Sequence, residues 1–259
     1  IFLAKIGHRP LTEPYLLCST QACQVYAGAG KEHPRTTRAV DKTRGVVMLR
    51  DGGGLVDARY SASAGGHPED NDWIWGGAPD PSLRGKVDTT DPKLAEAFAT
   101  LDEANLEAFL AAPPDKFPSG ATAWGKKHFR WTVEVDAAEL TKRIAAEYPK
   151  VGAVRALEAV KRSRGGRIGA LRIVGAKGTV VAEGDLHLRR LLGGLKSTLF
   201  VVSAKGPAGA PTAFVFRGAG FGHGVGMDQV GAIGLAAAGK SHAEILARYY
   251  AGSHLHRLY

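Results

Sequence analysis

His223 stands alone in a run of spaced glycines, FRGAGFGHGVGMDQVGAIGLAAAG from Phe216 to Gly239, with Gly218, Gly220, Gly222, Gly224 and Gly226 around it. Glycine carries no side chain, so main-chain amides beside His223 can approach a bound molecule closely and the backbone can turn left-handed. The imidazole could then hydrogen-bond that molecule or orient an acid. The helix-like run after Met227 could offer its first amides to a carboxylate. The rival reading is a tight loop that needs positive φ, with His223 bonded to backbone. Gly220-x-Gly222-x-Gly224 lacks the third interval of a dinucleotide fingerprint, which removes that chemistry.

A second group lies upstream. Val56, Ala58, Tyr60 and Ala62 alternate with Asp57, Arg59, Ser61 and Ser63, so small hydroxyls share one strand face as the chain runs into Gly65–Gly66. Hydroxyls in that arrangement suit saccharide recognition, and Glu69 is the nearest carboxylate. An ordinary half-exposed strand and turn accounts for the same pattern. Trp73 and Trp75, in the Gly- and Pro-rich stretch that follows, could stack on a sugar face or seal a core edge.

The elements that must position these groups are legible from periodicity and caps. Gly45 to Gly66 predicts two strands joined by a glycine turn at Gly52–Gly54. Asp91–Pro92 predicts a helix start, with Leu94, Phe98, Leu101, Phe109 and Leu110 on one helix or two, ended at Pro113–Pro114. HFRWTVEVD predicts a strand and Asp136 the cap of the helix after it. Strands then follow at VRALEAVKRS, IGALRIVG and VVAEG, a short helix at LHLRRLLG, and strands at STLFVVSA and AFVFRG. Ser241 and Glu244 form a capping box, and Gly252 can end the last helix. The fold class is α+β: a mixed, β-rich core with flanking helices, in one domain over residues 1–259 with an inserted lobe at about 90–195.

The composition, 44% hydrophobic and 23% charged, is that of a folded globular chain. Thirty-four basic against 25 acidic side chains give a formal charge of +9, which favours an anionic partner or simply a solvated basic surface. The densest basic stretches, VKRSRGGR and LRRLL, carry no interleaved aromatics and no nucleic-acid motif, so no nucleic-acid partner is expected. The opening IFLAKIGHRP is too short and too charged for a membrane span or signal core, and a trimmed or mature chain is expected.

The ordered set CQVYAG, AVDKTRGVVM, ARYSASAGGHPED, WTVEVDAAEL, SRGGRIGALRIVG and GAGFGHGVGMDQVGAIGLAAAGKSHAEILARYYAG resembles the SpoIID/LytB (stage II sporulation protein D) family from about Cys23 to Tyr259. The Gly-His-Gly-x-Gly-Met segment, Gln229, Gly231–Ala232 and the pair Tyr249–Tyr250 carry the resemblance most specifically. It implies an extracytoplasmic protein that works on peptidoglycan. Active members are lytic transglycosylases, best known on glycan strands already stripped of stem peptides; others enhance separate wall hydrolases. The family's catalytic glutamate sits in a helix of the pattern Glu-Ala-Leu-x-Ala-Gln-Ala-x-Ala-Ala-Arg, ahead of where this chain starts, and Glu13 lacks that pattern. The chain is therefore expected to carry the family domain without its acid.

Lytic cleavage uses the sugar's own 6-hydroxyl as nucleophile, so a single acid, kept protonated by a partly apolar pocket, suffices. The residues expected at the glycan are His223, Gly222, Gly224 and Gln229, with Tyr60, Ser61, Ser63, Gly65 and Gly66; Glu69 is the substitute acid. The alternative is a non-catalytic wall-binding or hydrolase-enhancing module, whose partner is another wall hydrolase, and a general polyanion binder is the third reading. No cofactor is required. Cys18 and Cys23 are spaced for a small disulfide-closed loop, which suits an oxidising compartment. Zinc is the rival there, since family members hold it near this place with histidines. The nearest histidine is His8, and a four-ligand set is not evident.

Overall fold

The computed structural model describes residues 19–20 and 25–259. The chain divides into two compact units, Ile1–Ala58 with Gly252–Tyr259, and Arg59–Ala251. Cys18, Cys23, His8 and Glu13 lie outside the described residues.

In the first unit the helix Pro34–Lys42 begins with proline at its first position, and the His33 ring accepts the Arg35 N–H at 3.2 Å. The strand Val46–Arg50 pairs antiparallel with Ser253–Arg257, Val46 opposite Arg257 and Arg50 opposite Ser253. The expected hairpin is only begun. Gly53 and Gly54 turn the chain at φ 93° and 84°, and Leu49 bridges Leu55. Beyond that the second strand does not continue as a partner of the first. Tyr60–Ser61 pairs instead, in parallel, with Met227–Asp228 in the second unit, so the hydroxyl-bearing segment is drawn to the glycine-rich loop.

The second unit is mixed α+β. Ala213–Ala219 is the central strand of a three-stranded antiparallel sheet, flanked by Arg130–Asp136 and Phe200–Lys205. Val154–Arg162, Ile168–Gly175 and Thr179–Glu183 form an antiparallel meander. Both sheets feed one core: Phe200, Phe214 and Phe216 from the first meet Leu157, Ile168, Leu171 and Ile173 from the second. The helix Ala137–Glu147 closes it with Leu140 and Ile144, four residues apart on one face. Each such side chain contributes about 1.5–3 kcal/mol by leaving water. Asp136 caps this helix by accepting the Ala138 and Glu139 amides at 2.8 and 3.0 Å.

A second cluster, Phe98, Leu101, Leu106, Phe109, Phe117 and Phe129, packs beneath short helices. Asp91 caps the helix Pro92–Ala97 as expected. The apolar series then breaks, because the Asn105 side chain donates to the Thr100 carbonyl at 2.8 Å and the second helix starts only at Leu106. The segment ahead of the Arg130 strand is also helical. Thr122 caps Ala123–Phe129, which takes His128 and Phe129 out of the expected strand. Ser241 and Glu244 form their reciprocal capping box.

Candidate functional site

The glycine-rich loop is fastened from several directions within the second unit. Phe221 exchanges both backbone hydrogen bonds with Ser63, at 2.7 and 3.0 Å. The Gly222 N–H donates to the Lys196 carbonyl at 2.9 Å, and the Glu69 N–H to the Gly224 carbonyl at 3.0 Å. Trp131 Nε1 donates to the Gly220 carbonyl at 2.9 Å. Met227 N–H and the Tyr250 hydroxyl both donate to the Arg59 carbonyl, at 3.0 and 2.7 Å. Tyr249, its neighbour, donates to Asp88 at 2.8 Å, where Arg248 also binds.

Under the loop lies Arg167, fully buried. It donates from Nη1 to the Gly222 carbonyl and from Nη2 to the Ala64 carbonyl, both at 3.2 Å. A buried guanidinium binding two carbonyls ties the loop to the Ser61–Gly66 segment. Glu69, 2% exposed, sits in the same interior. Its carboxylate accepts the Ser163 hydroxyl and, at 2.9 Å, the Asp70 N–H. Burial raises its pKa, against the opposing pull of the Ser163 hydrogen bond and the Arg167 charge.

His223 is half-buried, and its Nδ1 accepts the Val225 N–H at 3.0 Å. The ring is therefore the Nε2–H tautomer. Burial first, and then the Arg167 charge, push its pKa down to about 4, so it is neutral near pH 7. One ring face meets Trp75, with centroids 4.9 Å apart. Trp75 is 49% exposed, and the Arg59 guanidinium lies 4.7 Å from its ring centre. Trp73 is half-buried, packed at Gly169 with Lys161 over its face at 4.9 Å. Of the two tryptophans, Trp75 is the more exposed and the one that meets the histidine.

The other sequence-marked residues divide. Tyr60 is half-buried and Gln229 exposed at the start of the helix Gln229–Ala237. Ser61 is buried against Gly222, and its Oγ has no hydrogen-bond partner. Ser63, fully buried, donates to Asp228 at 3.4 Å and accepts the Gly65 N–H at 3.2 Å. Gly65 and Gly66 are buried, Gly65 at φ 74° against Ala219 and Gly220, with its carbonyl held by Arg130 at 2.8 Å. Two of the first amides of the helix after Met227 are taken within the fold. Asp228 already accepts the Gly231 N–H at 2.8 Å, and Val230 N–H donates to the Ala62 carbonyl at 3.1 Å. Asp228 is fully buried, and desolvation lifts its pKa to about 6.

Sequence reasoning missed Arg167, Ser163 and Asp228. SRGGR reads as a basic turn, and only the fold shows its last arginine pointing inward. Among the described residues no group of three or more His, Cys, Asp or Glu side chains is placed to hold a metal ion, and no helix is long and apolar enough to cross a membrane.

Residues 69–226, which include the Arg167 turn, Glu69 and His223, match a family described as a domain of unknown function (DUF8618). Residues 3–49 match the family described as stage II sporulation protein. By the extent of the first match the chain belongs to the DUF8618 family, and the second match, with the relative that follows, supports the SpoIID/LytB family. It is 29% identical over 264 residues to the amidase enhancer of Bacillus subtilis (strain 168), an alignment covering 91% of this chain. The chain spans about a third of that relative's length, 34%. The Gly-His-Gly loop of this chain is a multiply hydrogen-bonded, arginine-backed turn flanked by exposed aromatic rings.

Proposed function

We propose that this chain is a cell-wall glycan-binding module that assists a wall hydrolase, as the name of its amidase-enhancer relative suggests for that protein. The observation that carries the reading is the placement of Trp75. A half-exposed indole is braced by a neutral imidazole on a multiply fastened loop and by the Arg59 guanidinium. Such a platform presents a flat apolar face beside polar edges, which suits the CH face of a pyranose ring. The wall glycan lies outside the cytoplasm, and an extracytoplasmic location goes with this reading.

The carboxylates near the loop favour binding over cleavage. Glu69 and Asp228 are 2% and 0% exposed, and both are spent on internal hydrogen bonds. A lytic transglycosylase reading has one supporting observation, the raised pKa of Glu69, which is what a general acid requires. The two readings separate in one experiment. Purified chain is incubated with denuded glycan strands, pelleting is quantified, and soluble products are analysed by mass spectrometry. The binding reading predicts co-sedimentation, loss of it in Trp75→Ala, and no 1,6-anhydro-muramyl products. Anhydro products that vanish in Glu69→Gln would establish cleavage instead. Faster wall hydrolysis by an added amidase, only when the chain is present, would support the assisting role.

A further inference from the structure

A second row of rings follows directly from the loop's other flank. The helix Ala123–Phe129 carries Trp124 and His128 four residues apart, hence on one face, with ring centroids 4.9 Å apart. His128 in turn stacks on Phe221 at 6.0 Å and 28°. Trp124 is 49% exposed and Phe221 38%, although burying rings is the ordinary way to use them. Phe221 is not a loose side chain, since both of its backbone groups are bonded to Ser63. His128 Nδ1 is buried without a hydrogen-bond partner. Phe221 and His223 are separated only by Gly222, so their Cα atoms lie at most about 7 Å apart. The two ring clusters, Trp124–His128–Phe221 and His223–Trp75, therefore adjoin through one tripeptide.

Charge selects among occupants. The helix Ala123–Phe129 holds Lys126 and Lys127 and no acidic residue. Lys196, whose carbonyl anchors Gly222, sends its Nζ to the Lys127 carbonyl at 3.3 Å. Among the described residues none of these three lysines is in an ion pair. Rings alone would suit any sugar, and lysines alone any polyanion. Together they suit a polymer of sugar rings that bear carboxylates.

We propose that Trp124, His128 and Phe221, with Lys127 and Lys196, form a second glycan subsite that selects strands whose sugars carry carboxylate groups. The inference rests on the glycan-binding reading and adds to it a second contact and a substrate preference. The test measures dissociation constants for neutral N-acetylglucosamine oligomers and for denuded, muramate-containing strands, at low and at high salt. The proteins are wild type, Trp75→Ala, Trp124→Ala, Phe221→Leu, Phe221→Ala and Lys127→Gln/Lys196→Gln, each checked for an unchanged unfolding midpoint. The subsite predicts that Trp124→Ala and Phe221→Ala each weaken strand binding about fivefold, Phe221→Leu less. It also predicts that the double lysine variant loses the preference for carboxylate-bearing strands while keeping neutral oligomers. Wild-type affinity in Trp124→Ala and Phe221→Ala, with loss in Trp75→Ala, would overturn the second subsite and leave the glycan reading standing. Poly-glutamate displacing the strands as well as free strands do would overturn it in favour of charge alone. Absence of any glycan binding by wild type would overturn both.

Discussion

The guanidinium of Arg167 lies against the backbone of Gly224: a β-carbon at Gly224 would come within 2.3 Å of Nη2. Gly224 also holds φ at 80°, so the glycine answers two demands, a left-handed turn and the room for a buried cation. The consequence reaches His223, one residue away. The same arginine that fastens the loop through the Gly222 carbonyl helps keep the imidazole uncharged. One residue thus contributes both to the shape of the loop and, after burial, to the protonation of His223.

Gly224→Ala should therefore destabilise the protein by about 3 kcal/mol or more, the sum of a strained backbone and a clash with a group that has nowhere to go. Gly239→Ala is the control. It has nearly the same φ, 83°, but open space around it, so only the conformational cost of about 1 kcal/mol remains. Urea unfolding of the two variants measures the difference.

Trp131→Phe should cost about 2 kcal/mol or more, because the Gly220 carbonyl loses its donor and the smaller ring leaves part of the buried indole's space at Gly218 empty. Equilibrium unfolding reads the loss. An unchanged free energy would mean that the indole N–H contributes nothing to fixing the loop.

His223 should stay neutral between pH 7 and pH 5 and take its proton only near pH 4. The sign follows from linkage. The folded-state pKa lies below the unfolded value of about 6.5, so the unfolded chain binds the proton first. This group's contribution to stability is present above pH 6.5 and is lost as pH falls towards 4. Asp228 acts oppositely. Its folded pKa of about 6 stands above the unfolded value, so its contribution is greatest in acid and is lost as pH rises through about 4 to 6. NMR titration of the two side chains checks both values, and Asp228→Asn should make stability rise more steeply with pH across that window.

Ser61→Ala separates folding from binding. Removing a buried hydroxyl that has no partner should leave stability unchanged or raise it by up to about 1 kcal/mol. If that hydroxyl contacts the glycan, the same variant binds denuded strands several-fold more weakly. A loss of stability together with unchanged binding would assign Ser61 to the fold alone.

What could be read from the sequence was local. Asp91, Asp136 and the Ser241–Glu244 box were legible because a cap acts within three or four residues of itself. The apolar strands Ile168–Gly175 and Ala213–Ala219 were legible from their own local composition. Pairings between distant segments were not. Tyr60–Ser61 reads as the return strand of a hairpin, and only the parallel partner Met227–Asp228 shows where it goes. SRGGR gives no sign that Arg167 is buried and Arg164 is not, since the two flank the same Gly165–Gly166 turn. Trp124 and His128 carried a usable signal, a threonine cap followed by rings four residues apart, but their meeting with Phe221 depends on the tertiary fold. At His223 the sequence allowed backbone bonding and a ligand contact alike. The Val225 bond occupies Nδ1 and leaves the ring face, beside Trp75, as the part a ligand would meet.

The most direct measurement is a titration of denuded glycan strands into protein labelled at the indole nitrogen, following the Trp75 Nε1–H resonance. The account predicts a saturable shift of that signal, with the inward-facing Trp131 signal unmoved. A Trp75 resonance that stays fixed while strands bind, or strands that do not bind at all, would contradict it.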